Sequence, residues 1–324
     1  MLPKIYLLAA LLAIVSNAGA VACTPEEPDC VEVGSWDIGV NIGLGGRTNP
    51  LAGGRDIPLL LTPEINYNGE HFFIQNTDVG YILFDAHEQQ LSLLVRPSYD
   101  QGFFKRWDTG NALTQGLANP VAGDGLVSNT PSHPVVGGGL VGTARPNAGD
   151  SSGADTPPSS GNGAVNPPST QPNASAALPP HSRDTAGLAG FEYSVDSAWA
   201  DLQFQYVHDI SGVHQGDEAR VSATHQWTSG KHHLNTTLGA IWQSQKVVDY
   251  YYGVTPLEAD ARGPYEGSAA VSTVLRVDWR YTLTEHWELR MLGSYRGLPP
   301  AITASPLVSD KQVITGFVGG VYHF

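Results

Sequence analysis

Nowhere in these 324 residues does an apolar run reach the roughly 20 residues that a membrane-crossing helix requires. The longest candidate is Ile5–Val15, preceded by Lys4 and followed by Ala18-Gly19-Ala20, an arrangement that reads as a secretory signal over residues 1–20. Cysteine is nearly missing. Cys23 and Cys30 stand alone, which in an oxidising compartment predicts a local disulfide, with lipidation of Cys23 after a cut at Ala22 as the alternative. Two cysteines without a nearby histidine supply at most half of a zinc site, so no metal is expected. Charge is sparse as well, at 15% of residues against the usual quarter. Basic residues are the scarcer sign, 17 against 31 acids, and a net charge of −14 excludes the clustered Lys and Arg that nucleic acid demands. No cofactor is expected: Gly137, Gly139 and Gly142 match a dinucleotide fingerprint in form, but Pro-rich flanks replace the required strand and helix.

What the chain has in quantity is period-two alternation over segments of about ten residues, the spacing of a transmembrane strand. Trp36, Ile38, Val40, Ile42 and Leu44 alternate with Asp37, Gly39, Asn41 and Gly43. Leu91, Leu93 and Val95 alternate with Ser92 and Arg96, Leu94 being the exception. Val271, Leu275, Val277, Trp279 and Tyr281 oppose Ser272, Arg276, Asp278 and Arg280, and Trp287, Leu289 and Met291 oppose Glu288 and Arg290. A helix would scramble these faces. An exported chain without a spanning helix can enter a bilayer only as a closed barrel, because every backbone polar group must be satisfied internally.

The expected fold is therefore all-β: a transmembrane antiparallel up-and-down barrel over residues 36–324, preceded by an N-terminal segment at 21–35 that holds the cysteines. Strands are expected at 36–44, 58–67, 71–76, 79–85, 91–100, 187–195, 198–210, 218–229, 233–244, 267–283, 287–296 and 312–324. Twelve is the even count reached by splitting 71–85, and ten is the alternative. Asn68-Gly69, Ser229-Gly230 and Thr284-Glu285 mark short turns, whereas 45–57, 245–266 and 297–311 are longer connections. Trp199, Trp227, Trp242, Tyr250, Tyr251, Tyr252, Trp279 and Trp287 lie where interfacial girdles belong. Residues 112–186, rich in Gly, Pro, Ala, Ser and Asn, cannot bury enough apolar surface to offset their chain entropy and read as an external low-complexity loop. The closing segment ends in Phe324, with Gly319 and Tyr322 completing what resembles an outer-membrane targeting signal.

The same alternation sends Asp37, Glu192, Asp201, Glu218, Asp278 and Glu288 to the lumen together with Arg96, Arg220, Arg276, Arg280, Arg290 and Arg296. A set balanced in sign predicts cross-bracing by Arg–carboxylate forks, where a selective pore would carry a surplus of one sign. His232 and His233 beside Lys231 read as a solvated turn. Asp209 near His208, and Asp249 among tyrosines, are the nearest approaches to a catalytic set. Neither comes with a defined partner, so no enzyme is expected.

Tyr250-Tyr251-Tyr252-Gly253-Val254-Thr255-Pro256-Leu257-Glu258-Ala259 resembles the signature of the MipA/OmpV family of outer-membrane proteins. Pro58, Tyr67-Asn68-Gly69, Phe72-Phe73, Gly80-Tyr81 and Ser305-Pro306-Leu307-Val308 support the resemblance. It implies an outer-membrane barrel of a Gram-negative bacterium, with membrane lipid and the barrel-assembly machinery as partners. It further implies a scaffold joining a murein-cleaving transglycosylase to a murein synthase. A passive solute channel, or an adhesin acting through 112–186, are the rival readings.

Overall fold

The computed structural model describes residues 34–86, 88–104, 183–259 and 262–324. The expected signal peptide, the Cys23/Cys30 pair, the Gly137–Gly142 fingerprint and most of the 112–186 insert lie outside the described residues. What is described is a single closed antiparallel sheet. Its strands are β1 (Ser35–Arg47), β2 (Ile57–Pro58), β3 (Leu61–Asn68), β4 (Phe72–Gln75), β5 (Asp78–Ala86) and β6 (Gln89–Pro97). After the insert come β7 (Gly187–Val195), β8 (Asp201–Asp209), β9 (Asp217–Ser229), β10 (His232–Gln243), β11 (Ala270–Thr282), β12 (Trp287–Gly297) and β13 (Gln312–His323). Each strand pairs with its neighbour in order, and β13 closes on β1 from Gly39↔His323 to Arg47↔Thr315. β2 continues the stave of β3 across an irregularity at Leu59–Leu60, both pairing with β1, so the barrel has twelve staves. The expected division of 71–85 into β4 and β5 is present.

Period-two patterning becomes two faces. Outward positions such as Ile42, Leu44, Leu93, Val221, Leu238, Val271, Met291 and Val318 are exposed apolar side chains, as a lipid-facing wall requires. Inward positions are polar and buried, including Asn41, Thr62, Ser92, Gln203, Ser222 and Thr315. Leu94 breaks the alternation because it meets Phe73, Ile82, Leu188 and Val207 in a small apolar cluster on the inner wall. Two glycines let aromatic rings lie against the sheet from inside. A Cβ on Gly43 would come within 2.8 Å of Phe317 Cζ across the β1–β13 seam, and one on Gly80 would enter the ring of Phe73.

Short turns gather at one end and long connections at the other, which makes the first the periplasmic end. Trp36 packs on Tyr67 and Trp287 on Tyr322 at that end, and Phe324 stands 78% exposed. Several expectations change at the other end. The connection 245–266 holds helix α1 (Gln245–Tyr252), and 297–311 holds the one-turn helix α2 (Pro300–Thr303). β6 stops at Pro97, and Asp100–Phe104 form a 3-10 turn instead of strand. Tyr251 and Tyr252 belong to no girdle. They point from α1 into an apolar core with Leu51, Leu59, Phe103, Phe104, Val247, Ile302 and Leu307, each at most 6% exposed. The last residues of the insert are also fixed: Ala186 is fully buried, Thr185 Oγ1 donates to Gln101, and Ser98 N–H donates to the Ala186 carbonyl.

Candidate functional site

The interior carries three tiers of charge, the first on the staves from β11 to β3, the second on those from β6 to β9, and the third at the lid. In the first tier Arg290 on β12 binds Asp278 on β11 with two nitrogens, Nε to Oδ1 at 3.0 Å and Nη2 to Oδ2 at 2.5 Å. Its remaining Nη1 donates to Glu64 Oε2 and to Asn41 Oδ1, both at 3.1 Å, on β3 and β1. Arg276 adds a contact to Asp278 at 3.1 Å, and Arg280 reaches Glu64 at 3.5 Å. Planar guanidinium forks suit this bidentate geometry, which a lysine could not copy. In the second tier Arg96 and Arg220 share Glu218 Oε2, at 3.1 and 3.3 Å, and their guanidinium groups lie 5.2 and 5.0 Å from the ring centre of Tyr99. Glu192 accepts from Gln205 Nε2 at 2.6 Å.

The third tier joins the lumen to its cap. Asp100, in the 3-10 turn, accepts from Arg296 Nη1 at 2.7 Å, from Gln243 Nε2 at 2.9 Å and from Tyr252 Oη at 3.1 Å. Burial works against its charge, but the Arg296 guanidinium outweighs it and brings the carboxyl down to about 2. Burial and the same carboxylate push the Tyr252 hydroxyl well above the usual phenol range. Ser305 Oγ donates to the Tyr252 carbonyl, and Asn49 Nδ2 to that of Phe103 at 2.8 Å, so α1, α2, the 3-10 turn and the β1–β2 connection form one lid over the barrel.

At the periplasmic rim His323 sets Nδ1 3.1 Å from Asp37 and Nε2 3.6 Å from Glu288, bridging strands β1, β12 and β13. Asp201 accepts from Gln226 at 2.6 Å. The structure thus joins Arg96, Glu218 and Arg220 in one group and Arg276, Asp278, Arg280 and Arg290 in another. It gives Arg296, Asp37 and Glu288 partners outside the twelve expected residues, and it ties Glu192 and Asp201 to glutamines. On the exterior, Arg183 donates to Glu258 at 3.0 Å and to the Gly253 carbonyl at 3.2 Å, beside an open pocket of 810 Å³ lined by Asp249, Tyr250, Pro256, Leu257 and Tyr265. Glu258 is carried down to about 2: its partial burial opposes this, and the Thr255 amide and Arg183 prevail. Among the described residues no group of three or more His, Cys, Asp or Glu is placed to hold a metal ion.

The family model described as MltA-interacting protein MipA matches residues 42–324. The chain belongs to the MipA family. Escherichia coli (strain K12) outer membrane protein YiaT is 27% identical to it over 141 residues, 43% of this chain and 57% of that protein. Outer membrane protein OmpV of Vibrio cholerae is 31% identical over 121 residues, 37% and 47% of the two chains. The matches span about half the length of these curated relatives. In structure, the Pseudomonas putida toluene transporter TodX aligns over 94% of each chain with 9% identity and a TM-score of 0.32. This MipA-family barrel lies in the outer membrane.

Sequence reasoning passed over Glu64, Asp100 and His323, put Asn41 on the polar face without a role, and assigned Tyr252 to a girdle. Glu64 was legible, since Thr62, Glu64 and Asn66 alternate with Pro63 and Ile65. Asp100 and Tyr252 were not, because they lie in non-strand segments where alternation says nothing about direction.

Proposed function

We propose that this barrel is a non-enzymatic envelope protein that passes no bulk solute and works as a membrane-embedded partner for cell-wall enzymes. The observation that carries this reading is Arg290, which reaches inward from β12 past β13 and β1 to Glu64 on β3, while the Asp100–Arg296 pair pins an apolar lid above the barrel. Buried guanidinium groups locked to carboxylates at both levels are poorly suited to a hydrated path, because an entering ion would have to displace charge-assisted bonds. The family description names an interaction with MltA, and the partner class proposed here is accordingly a lytic transglycosylase together with a murein synthase. The lipid-facing wall and periplasmic rim, with Trp36, Trp199, Trp227 and Trp287 exposed, are what such a partner would meet.

The test is affinity capture of the full-length barrel from solubilised envelopes, with planar-bilayer recordings run on the same preparation. Retrieval of a transglycosylase or synthase with silent bilayers is the expected result. Steady conductance from a folded, heat-modifiable sample would overturn the closed-barrel reading, and capture without any murein enzyme would overturn the partner class.

A further inference from the structure

The signature block at residues 250–259 does two things. Tyr251 and Tyr252 turn into the apolar core of the lid, whereas Tyr250, Pro256 and Leu257 line the 810 Å³ pocket beside Arg183. A cavity of that volume suits a small organic molecule. It lies among the long connections, so it opens to the outside of the cell.

The walls of the pocket are held in place. Val254 and Tyr265 exchange backbone hydrogen bonds of 2.8 and 2.9 Å, which pins its two sides together. Glu258 accepts from both the amide and the hydroxyl of Thr255, locking the turn that carries Pro256 and Leu257. The Tyr265 hydroxyl donates to the Ala301 carbonyl at 2.8 Å, and the Tyr250 hydroxyl accepts from the Asp184 amide at 2.9 Å. Both rings are thereby fixed. Glycines wedge Asp249 as well: a Cβ on Gly253 would come within 2.2 Å of its carbonyl oxygen, and one on Gly267 within 2.7 Å of its amide nitrogen. Walls set beforehand lose little entropy when a ligand arrives.

The lining chemistry selects the ligand. Arg183, the one cation among the lining residues, is committed to Glu258 and to the Gly253 carbonyl. Against it stand three carboxylates, Asp249, Glu258 and Glu266. Asp249 gives Oδ1 to the Gly267 amide and Glu266 gives Oε1 to Gln245, so the second oxygen of each accepts no hydrogen bond among the described residues. The Arg183 guanidinium lies 5.7 Å from the centre of the Tyr250 ring, which shows that this wall accepts positive charge, and Tyr265 presents a second ring. Leu257, 100% exposed at the lip, adds apolar surface for the body of a ligand.

We propose that this pocket is an external binding site for a small organic cation, a primary ammonium on an aromatic or alkyl body. The ammonium meets Asp249 and Glu266, and the body lies on the two tyrosine rings against Leu257. The site is separate from the periplasmic rim and from the closed lumen, so it stands or falls apart from the partner reading.

Dansylcadaverine, a primary ammonium on a naphthyl body, tests this against dansyl-aminocaproate, which carries a carboxylate in the same place. Each is titrated by fluorescence anisotropy into the full-length barrel in nanodiscs of zwitterionic lipid, with empty nanodiscs subtracted. The ammonium should bind about tenfold more tightly than the carboxylate. Asp249→Asn, which keeps the acceptor for Gly267, should weaken the ammonium about fivefold. Leu257→Ser, at a fully exposed side chain, should weaken it by a similar factor. Glu70→Gln at the opposite rim should leave binding unchanged, and heat-modifiable mobility verifies that each variant is folded. Equal binding of the two probes, or indifference to either pocket variant, would overturn the proposal. So would an equal loss in Glu70→Gln, the mark of attraction to the net charge of −14 alone.

Discussion

Arg290 and Glu64 are 226 residues apart in the chain and 3.1 Å apart in the barrel, joined on its inner side from β12 to β3 over β13 and β1. Arg290 is 3% exposed and serves Asp278 as well, so its loss takes the nearest cation from two buried carboxylates and leaves Asp278 to Arg276 and Glu64 to Arg280. Arg290→Met is expected to destabilise the barrel by about 3–5 kcal/mol. Arg290→Lys should recover part of that, since an ammonium can meet one partner but not all three. The midpoint of heat-modifiable gel mobility for the three proteins checks the order.

Asp100 makes the lid acid-sensitive. Its carboxyl titrates near 2 in the folded protein against 3.8 as its ordinary value, so the charged form is the one that folding favours. Its contribution, about 2 kcal/mol, is complete above pH 4 and disappears as pH falls towards 2. The near-ultraviolet circular dichroism of Tyr251, Tyr252 and Phe104 should therefore fade between pH 4 and pH 2. In Asp100→Asn the signal should already be weak at pH 7 and nearly flat across that range.

The seam between the first and last strands should tolerate no added atom on Gly43. A methyl there meets the Val318 carbonyl and the Phe317 ring, neither of which can move without opening the β1–β13 ladder. Gly43→Ala is expected to cost about 1–3 kcal/mol, as overpacking does. Gly293→Ala, with nothing within 4 Å of the new methyl, should fall within about 0.5 kcal/mol of the parent. Urea unfolding in detergent separates the two.

Arg183 fastens the return of the long insert to the outer surface through Glu258 and Gly253. Glu258→Gln removes the charge and part of the clamp, while the barrel wall is untouched. Trypsin added to whole cells should cleave after Arg183 faster in this variant, with the barrel's thermal transition unchanged. Unaltered cleavage would mean that the segment is held by Ala186 and Thr185 instead.

The barrel was legible in the sequence because a lipid-facing strand must alternate, and Ile38, Val277 and Met291 obey that rule residue by residue. The split at 71–85 followed from the even strand count of such barrels, and the structure supplies its turn at Asn76, which has a φ of 56°. The lid could not be read. Tyr251 and Tyr252 lie next to each other, so a strand reading sends them to opposite faces, whereas one turn of α1 buries both. His323 escaped notice for another reason: its two carboxylates, Asp37 and Glu288, become its neighbours only after the ends of the chain have met. Alternation reports the direction of a side chain but never its partner.

The partners of Asp100 come from the ends of β10 and β12 and from α1, segments that curl together only when the sheet has rolled up. The outermost surface is therefore a proofreading mark written last. An antibody raised against the assembled lid would stain finished molecules on the cell and ignore those still waiting in the periplasm.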